Sequence, residues 1–397
     1  MADQPAAMNQ LGRQISAFTA IRTVFNTMHR MVYPFLSTFA RGVGVDIESM
    51  SYMLTMRSVI GTLGPFVASV ADQRGRRFGM LLGVGMFTLG TVLVVFSPTF
   101  PALALALVLG TLGKYIFDPA MQAFLGDRVE YGRRGRVIAV TEFGWSLAFI
   151  AGVPLAGFLI SRSGWMAPFP LLAVLGGLAM VAVMRLIPRD RPVDRGANPG
   201  GQFRRVLTHA PALAGLSIGM CVSAANETVN LIFGVWLEDS FGLQIAALGA
   251  AAAVIGLSEL GGEGLVALFS DRLGKSRAIA LGLALNSLAA LALPWLGQST
   301  FGALAGLLLF YLSFEFTIVS IIPMMTEVLP SARATLMAFN VAALSLGRAL
   351  GAPLAPVLYG FGFPVVVIGA IGFNLLAFLG LARLWREPFS GGASREG

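Results

Sequence analysis

This chain has almost no cysteine, almost no histidine and little charge, and each shortage excludes something. Cys221 is the one cysteine and stands in an apolar stretch, which rules out a disulfide framework and a cysteine metal cluster. His29 and His209 are the two histidines and lie far apart in the chain, so neither a histidine-rich metal site nor a paired-histidine haem is supported. No Gly-x-x-x-x-Gly-Lys-Ser/Thr phosphate loop occurs, which leaves ATP-driven work without its usual cradle. No other catalytic constellation is present, so the chain does not read as an enzyme. Met1 to Gln10 is polar and lacks the charged-then-apolar pattern of a cleavable signal. The first apolar stretch is expected to act as its own insertion signal. Charged residues make up 12 % of the 397 positions and hydrophobic ones 56 %, more apolar surface than a soluble domain of this size hides from water.

Long apolar runs fill the space that charge leaves. A bilayer core of about 30 Å takes roughly 20 apolar residues per helix. Twelve such stretches lie near 14–39, 48–70, 78–97, 101–125, 137–160, 166–187, 211–236, 244–269, 276–296, 299–325, 334–359 and 362–385. They divide six and six about a polar segment, 188–210, broken by Pro188, Pro192, Pro199, Gly196, Gly200 and Gly201. The expected organisation is therefore an amino-terminal bundle over 1–187, a cytoplasmic linker over 188–210 and a carboxy-terminal bundle over 211–397. The amphipathic piece around Phe203–Leu207 suits a membrane surface.

The formal charge of +8 invites a nucleic-acid reading, but its distribution argues for topology. With the amino terminus placed in the cytoplasm, 21 of the 28 Lys and Arg fall on that side, and only Arg41 and Arg162 fall in outer loops. This positive-inside asymmetry places both termini in the cytoplasm. Anionic lipid headgroups are then the natural partner of the basic loops, and nucleic acid is not.

Two loops share one pattern. Ala68-Ser69-Val70-Ala71-Asp72-Gln73-Arg74-Gly75-Arg76-Arg77 joins the second and third stretches, and Ala267 to Arg277 joins the eighth and ninth. Asp72 and Asp271 are 199 positions apart, as are Gly75 and Gly274, Arg134 and Arg333, and the Gly152 and Gly351 that open Gly-x-Pro-Leu-Ala runs. One register held over several segments is the mark of a duplicated half. An aspartate at a helix end pairs with arginines or caps a helix, and the adjacent glycine supplies a tight turn.

The twelve-span layout and the repeated loop resemble the major facilitator superfamily, whose loop motif runs Gly-x-x-x-Asp-Arg-x-Gly-Arg-Arg/Lys. The first copy keeps Asp72, Gly75, Arg76 and Arg77, with Ala68 and Gln73 in place of Gly and Arg. The second keeps Asp271, Arg272 and Gly274, with Ala267 in the Gly position. The resemblance implies an all-α membrane protein of twelve helices in two pseudo-symmetric six-helix bundles, acting as a monomer. It also implies that these motif residues latch the bundles together on the cytoplasmic face. Gly144, Gly152, Pro154 and Gly157 in the fifth span are similar, imperfectly, to a motif of proton-coupled antiporters in that family. The related Gly351-Ala352-Pro353 points instead to a general kinking element.

Ionisable side chains inside a bilayer are costly and ask for a partner and a purpose. The spans hold Arg22, His29, Arg30, Arg57, Lys114, Asp118, Glu142, Glu227, Glu259, Glu263, Glu315 and Arg348. In the resembled fold, spans 1, 4, 7 and 10 line the cavity. That selects Arg30, Lys114, Asp118, Glu227 and Glu315 as substrate or proton-coupling residues, with Arg348 added for its depth in span 11. Lys114 and Asp118 are four apart and share a helix face; Arg30 is expected to join them. Asp118 is the first candidate to carry the coupling proton, and a permanently ionised structural pair is the competing reading. Glu259 and Glu263, on one face of span 8, and Arg57 on span 2 are expected to pair with neighbours or line the rim, and Arg22 and Glu142 to lie near the cytoplasmic end. Tyr33, Tyr115, Trp145, Trp236, Phe117 and Phe314 are candidates for an aromatic lining.

The expectation is a proton-coupled secondary transporter of the plasma (inner) membrane, moving a small, organic, amphipathic solute outward by alternating access. H+ is the coupling ion and no cofactor or metal is called for. Two alternatives stay open. One is uptake or exchange of an organic anion held by Arg30 and Lys114. The other is lipid or lysolipid translocation past Glu259 and Glu263.

Overall fold

The computed structural model describes residues 3–64, 66, 74–129, 131–188, 199–329 and 332–386. Among them ten helices are long and apolar enough to cross a membrane. They are Arg76–Phe96, Phe100–Gly126, Val140–Ser163, Pro168–Leu186, Ala210–Phe241, Ile245–Phe269, Lys275–Leu296, Thr300–Val328, Thr335–Tyr359 and Phe363–Leu384, which are spans 3 to 12. Span 2 is represented by the helix Ile47–Gly61. Span 1 is two helices, Asp3–Arg30 and Leu36–Val43, joined by a turn. The chain is thus an all-α protein of two six-helix bundles.

Pro34 explains the break in span 1. Proline has no N–H to donate and its ring collides with the carbonyl four residues back, here that of Arg30. The first helix therefore ends at the residue that carries the deepest cation of the span. Span 5 accommodates Pro154 differently. A π-helical turn, Ala148–Gly152, sits just ahead of the proline, and helix resumes at Val153. Gly152 in that turn meets Thr27 so closely that a Cβ would fall 1.9 Å from its hydroxyl oxygen. Small residues set close helix approach in lipid, where no hydrophobic force drives helices together. Gly83 and Gly113 let spans 3 and 4 touch, a Cβ on either lying 2.4 Å from the other's carbonyl oxygen.

Within each bundle the packing repeats. Span 3 lies on span 4 and span 9 on span 10; span 3 also packs on span 6, and span 9 on span 12. Between the bundles, span 5 meets span 8, span 2 meets span 11, and the short second helix of span 1 meets span 7. These contacts run from mid-membrane to the face opposite the termini. Ser51 Oγ donates to the Ala352 carbonyl at 2.7 Å, and Arg41 pairs with Glu238 at 2.8 Å. A Cβ on Gly234 of span 7 would lie 2.6 Å from the Pro34 carbonyl oxygen and 2.8 Å from that of Tyr33. The residues Met31, Val32, Phe35, Leu36 and Phe39 are fully buried there. The conformation is sealed on the face away from the termini.

On the termini side, the linker of the sequence reading lies partly outside the described residues, at 189–198. Its second part is a helix, Pro199–Thr208. Phe203 of this helix stands edge-to-face between Phe66 of span 2 and Phe339 of span 11, at 5.4 and 5.3 Å. Val206 is buried in the second bundle while Arg204 and Arg205 are exposed.

Candidate functional site

Charged groups from both bundles converge at mid-membrane, in four arrangements. The first lies within the amino-terminal bundle. Lys114 Nζ is 2.6 Å from Asp118 Oδ2 on span 4. Arg22 of span 1 adds its Nε at 3.2 Å from Asp118 Oδ1 and pairs with Glu142 of span 5 at 2.6 Å. Gly144 allows this, because any Cβ there would strike the Arg22 side chain and the Thr19 carbonyl, both at 2.9 Å. The Glu142 side chain is 42 % exposed, so this cluster reaches the surface on the termini side.

The second arrangement crosses between bundles. Arg30 donates through both Nη atoms to the Glu259 carboxylate of span 8, a two-pronged geometry that suits guanidinium. Arg30 Nη1 also donates to the Trp145 carbonyl at 3.1 Å. Its guanidinium lies 4.2 Å from the Trp145 ring and 3.5 Å from that of Phe149, within cation–π range. The expected place of Arg30 beside Asp118 is corrected, and of the two alternatives for Glu259 the pairing with a neighbour is the one seen. Arg22, two helical turns earlier, takes the position at Asp118. The span 1 helix ends at Arg30, and its side chain points to the other bundle.

The third is a relay. Arg57 of span 2 donates to the Tyr33 hydroxyl at 2.7 Å, and that hydroxyl donates to Glu227 of span 7 at 3.0 Å. Arg57 also donates to the His29 carbonyl at 2.9 Å. Asn230 bonds Glu227 and accepts from the Tyr311 hydroxyl of span 10 at 2.8 Å. Arg57 and Glu227 are 1 % and 0 % exposed, so one buried hydroxyl, that of Tyr33, joins two charges that do not touch.

The fourth comprises charges left over. Glu315 is buried on span 10, its Cβ against Gly262 of span 8, with Glu259, Glu263, Arg30 and Arg348 in electrostatic reach. Arg348 is half-buried on span 11, in reach of Glu227 and His29. Among the described residues, Glu263, Glu315 and Arg348 form no hydrogen bond or ion pair. Tyr115 and Trp145 are half-exposed beside these groups; Tyr115 shares a 2.8 Å hydrogen bond with Ser345 of span 11. Trp236 and Phe117 are buried in core packing instead.

The loop motif is described in part. Asp72 lies outside the described residues, as does the side chain of Asp271. Gly75 and Gly274 have φ of +107° and +80°, a backbone region that glycine alone enters freely, and each precedes the first residue of a span. Arg76 then pairs with Asp127 at the end of span 4, at 3.7 Å. Lys275, its counterpart 199 positions on, pairs with Glu327 at the end of span 10. Arg77 Nη2 donates to the Met184 carbonyl of span 6 at 2.7 Å, and Arg272 is exposed. These pairs each lie within one bundle, and the two aspartates of the expected latch fall outside the described side chains.

Arg22, Arg57, Tyr33 and Glu259 are the residues that sorting by helix undervalued. Glu259 and Glu263, four apart, formed the available signal: two carboxyls on one helix face need a cation from another helix.

Two six-helix bundles around buried charges at mid-membrane define a membrane transporter. A family model described as Major Facilitator Superfamily matches residues 19–326 and 216–397, and the chain belongs to that family. It is 27 % identical over 384 residues to the inner membrane transport protein YdhP of Escherichia coli (strain K12), covering 95 % of this chain and 96 % of that one. A multidrug resistance protein B homologue of Mycobacterium tuberculosis (strain CDC 1551 / Oshkosh) is 31 % identical over 196 residues, 49 % of this chain and 35 % of that one. Among solved structures, a bacterial homologue of the human lysosomal transporter Spinster, inward-facing and unoccupied, superposes with a TM-score of 0.72. Its sequence identity is 15 %, and the match covers 96 % of this chain and 97 % of that one.

Proposed function

We propose that this transporter couples a proton to the movement of a small, organic, amphipathic solute, in the direction of export. Glu315 is the carrier of the proton in this reading, in place of Asp118. The carrying observation is that Glu315 is buried at mid-membrane without a cation partner. A carboxyl so placed is neutralised by a proton or by a bound cation. Asp118, by contrast, is held by Arg22 and Lys114 of its own bundle, and a movement of one bundle against the other leaves those distances alone. The multidrug resistance homologue supports the outward direction. The excess of Lys and Arg on the termini side supports cytoplasmic termini, which puts the sealed face of the observed conformation on the outside. The bundles over 1–187 and 211–397 are the bodies that move, and H+ is the coupling ion.

The test is proton movement in proteoliposomes loaded with a pH dye, under panels of amphipathic cations, organic anions and lysolipids. Glu315→Gln should abolish solute-driven proton flux, and Asp118→Asn should weaken transport without uncoupling it. Uncoupling by Asp118→Asn alone would return the proton to Asp118. Solute equilibration with no proton movement in the native chain would remove proton coupling altogether.

A further inference from the structure

The charges at the centre do not all cancel. Five cations (Arg22, Arg30, Arg57, Lys114, Arg348) face six carboxyls (Asp118, Glu142, Glu227, Glu259, Glu263, Glu315) within the spans. Arg22 and Lys114 are matched by Asp118 and Glu142. Arg30 is matched by Glu259, and Arg57 by Glu227 through the Tyr33 hydroxyl. One cation, Arg348, and two carboxyls, Glu263 and Glu315, remain. Glu315 is only 7 % exposed, and a buried charge without a partner is costly.

The remainder is also sorted in space. Helical residues three or four apart share a face. Arg348 therefore shares a face with Ser345, which bonds Tyr115 of span 4, and with Ala352, whose carbonyl accepts from Ser51 of span 2. That face looks at the first bundle, where Arg57, Arg348, Lys114 and Arg30 all act on the His29 ring. Glu263 and Glu315 belong to spans 8 and 10, where Glu259 acts on both and where Gly262 brings the two helices together. A free guanidinium on span 11 thus faces the first bundle, two free carboxyls lie on spans 8 and 10, and Arg348 stands in electrostatic reach of Glu315 and Glu227.

We infer that the solute is a zwitterion, its carboxylate received by Arg348 and its ammonium by one of Glu263 and Glu315. The other carboxyl is left to take up and release the coupling proton, so each leftover charge has a counterpart. A simple organic cation would leave Arg348 unmatched, and a simple anion would leave both carboxyls so. This inference rests on the proposed function only in taking the cavity as the solute's path.

Binding and flux separate the two readings. The purified full chain is titrated in detergent with matched trios: phenylalanine, phenethylamine and 3-phenylpropanoate; 12-aminododecanoate, dodecylamine and dodecanoate; alanyl-phenylalanine with its amide and its N-acetyl form. Thermal shift and tryptophan fluorescence are the readouts. In at least one trio the zwitterion should bind ten-fold or more tightly than both single-charge members. Arg348→Gln should reduce the zwitterion to the affinity of its amine analogue, with Arg348→Lys restoring part of the difference. Glu315→Gln with Glu263→Gln should reduce it to that of the acid. An amine or an acid that binds as well as its zwitterion in every trio, or no discrimination in any, overturns the inference. If the favoured zwitterion binds but is not carried into proteoliposomes, the transport reading fails while charge selection stands. If solutes of a single charge drive proton flux, transport stands and the zwitterion is wrong.

Discussion

Two ion clusters lie among the spans of this protein and differ in what holds them. Arg22, Lys114, Asp118 and Glu142 come from spans 1, 4 and 5 of one bundle. Arg30 and Glu259 come from spans 1 and 8 and join the two bundles. When rigid bundles rock about a central site, distances inside a bundle persist and distances across it change. The first cluster therefore builds the bundle, whereas the second reports and biases its position. The Arg57–Tyr33–Glu227 relay belongs with the second, since it too crosses from one bundle to the other.

The largest effect should come from breaking the crossing pair. Glu259→Gln leaves a guanidinium that is 4 % exposed without its counter-ion, at a cost of about 3–5 kcal/mol. We expect loss of transport and a shift away from the sealed conformation. The readout is maleimide labelling of Ser51→Cys in a Cys221→Ala background, because Ser51 sits on the span 2–span 11 seam. Labelling should accelerate by a factor on the order of 100, the equivalent of about 3 kcal/mol. Arg30→Leu with Glu259→Leu should recover the melting temperature, since an apolar pair of similar volume replaces a buried ion pair at little cost. Transport should stay lost in the double variant. Unchanged labelling in Glu259→Gln would remove the distinction between the clusters.

Arg22→Ala sharpens the same comparison from the other side. It removes one partner of Asp118 but leaves Lys114 at 2.6 Å, and Glu142 is half in solvent. The expected cost is about 1–3 kcal/mol in melting, with Ser51→Cys labelling unchanged. Accelerated labelling would show that this cluster, too, senses the bundles' position.

The layout of this fold was legible in the sequence and the pairing of its charges was not. Twelve apolar stretches, the 199-residue register and the Arg and Lys asymmetry depend on local composition, and they survive without knowing which helix touches which. Arg30 and Glu259 are 229 positions apart. Only the turn caused by Pro34 and the seam of spans 5 and 8 decide that they meet. Sorting by helix number favoured spans 1, 4, 7 and 10 and so passed over Glu259 on span 8 and Arg57 on span 2. Asp118 drew attention because Lys114 lay four residues away, yet that local pairing is what ties it permanently to its own bundle.

A smaller effect is expected for Tyr33→Phe. The variant deletes one hydroxyl, leaving Arg57 and Glu227 with other partners, His29 O and Asn230. A buried group stripped of one hydrogen bond costs about 1–3 kcal/mol. Ser51→Cys labelling should accelerate about ten-fold, because the lost bonds cross between bundles. Melting should fall less than in Arg22→Ala, whose losses are confined to one bundle. The reverse order would place the relay among the elements that build a bundle and not among those that position it.

The smallest effect belongs to the duplicated loop pairs. Arg76 and Lys275 occupy matching positions in the two bundles, but their acidic partners Asp127 and Glu327 are 67 % and 58 % exposed. Exposed ion pairs contribute about 0–1 kcal/mol and are screened by salt. Arg76→Ala and Lys275→Ala should therefore each change melting by less than about 1 kcal/mol, and the change should vanish in high salt. Gly75→Ala and Gly274→Ala should each cost more than the neighbouring charge, since positive φ strains any residue with a Cβ. That order, backbone above ion pair in both halves, follows if the described part of the motif works in this conformation by turning the chain into spans 3 and 9. If either charge proves the more costly, its pairing matters beyond its own bundle, and a role in latching the bundles in the opposite conformation becomes the better account of the repeat.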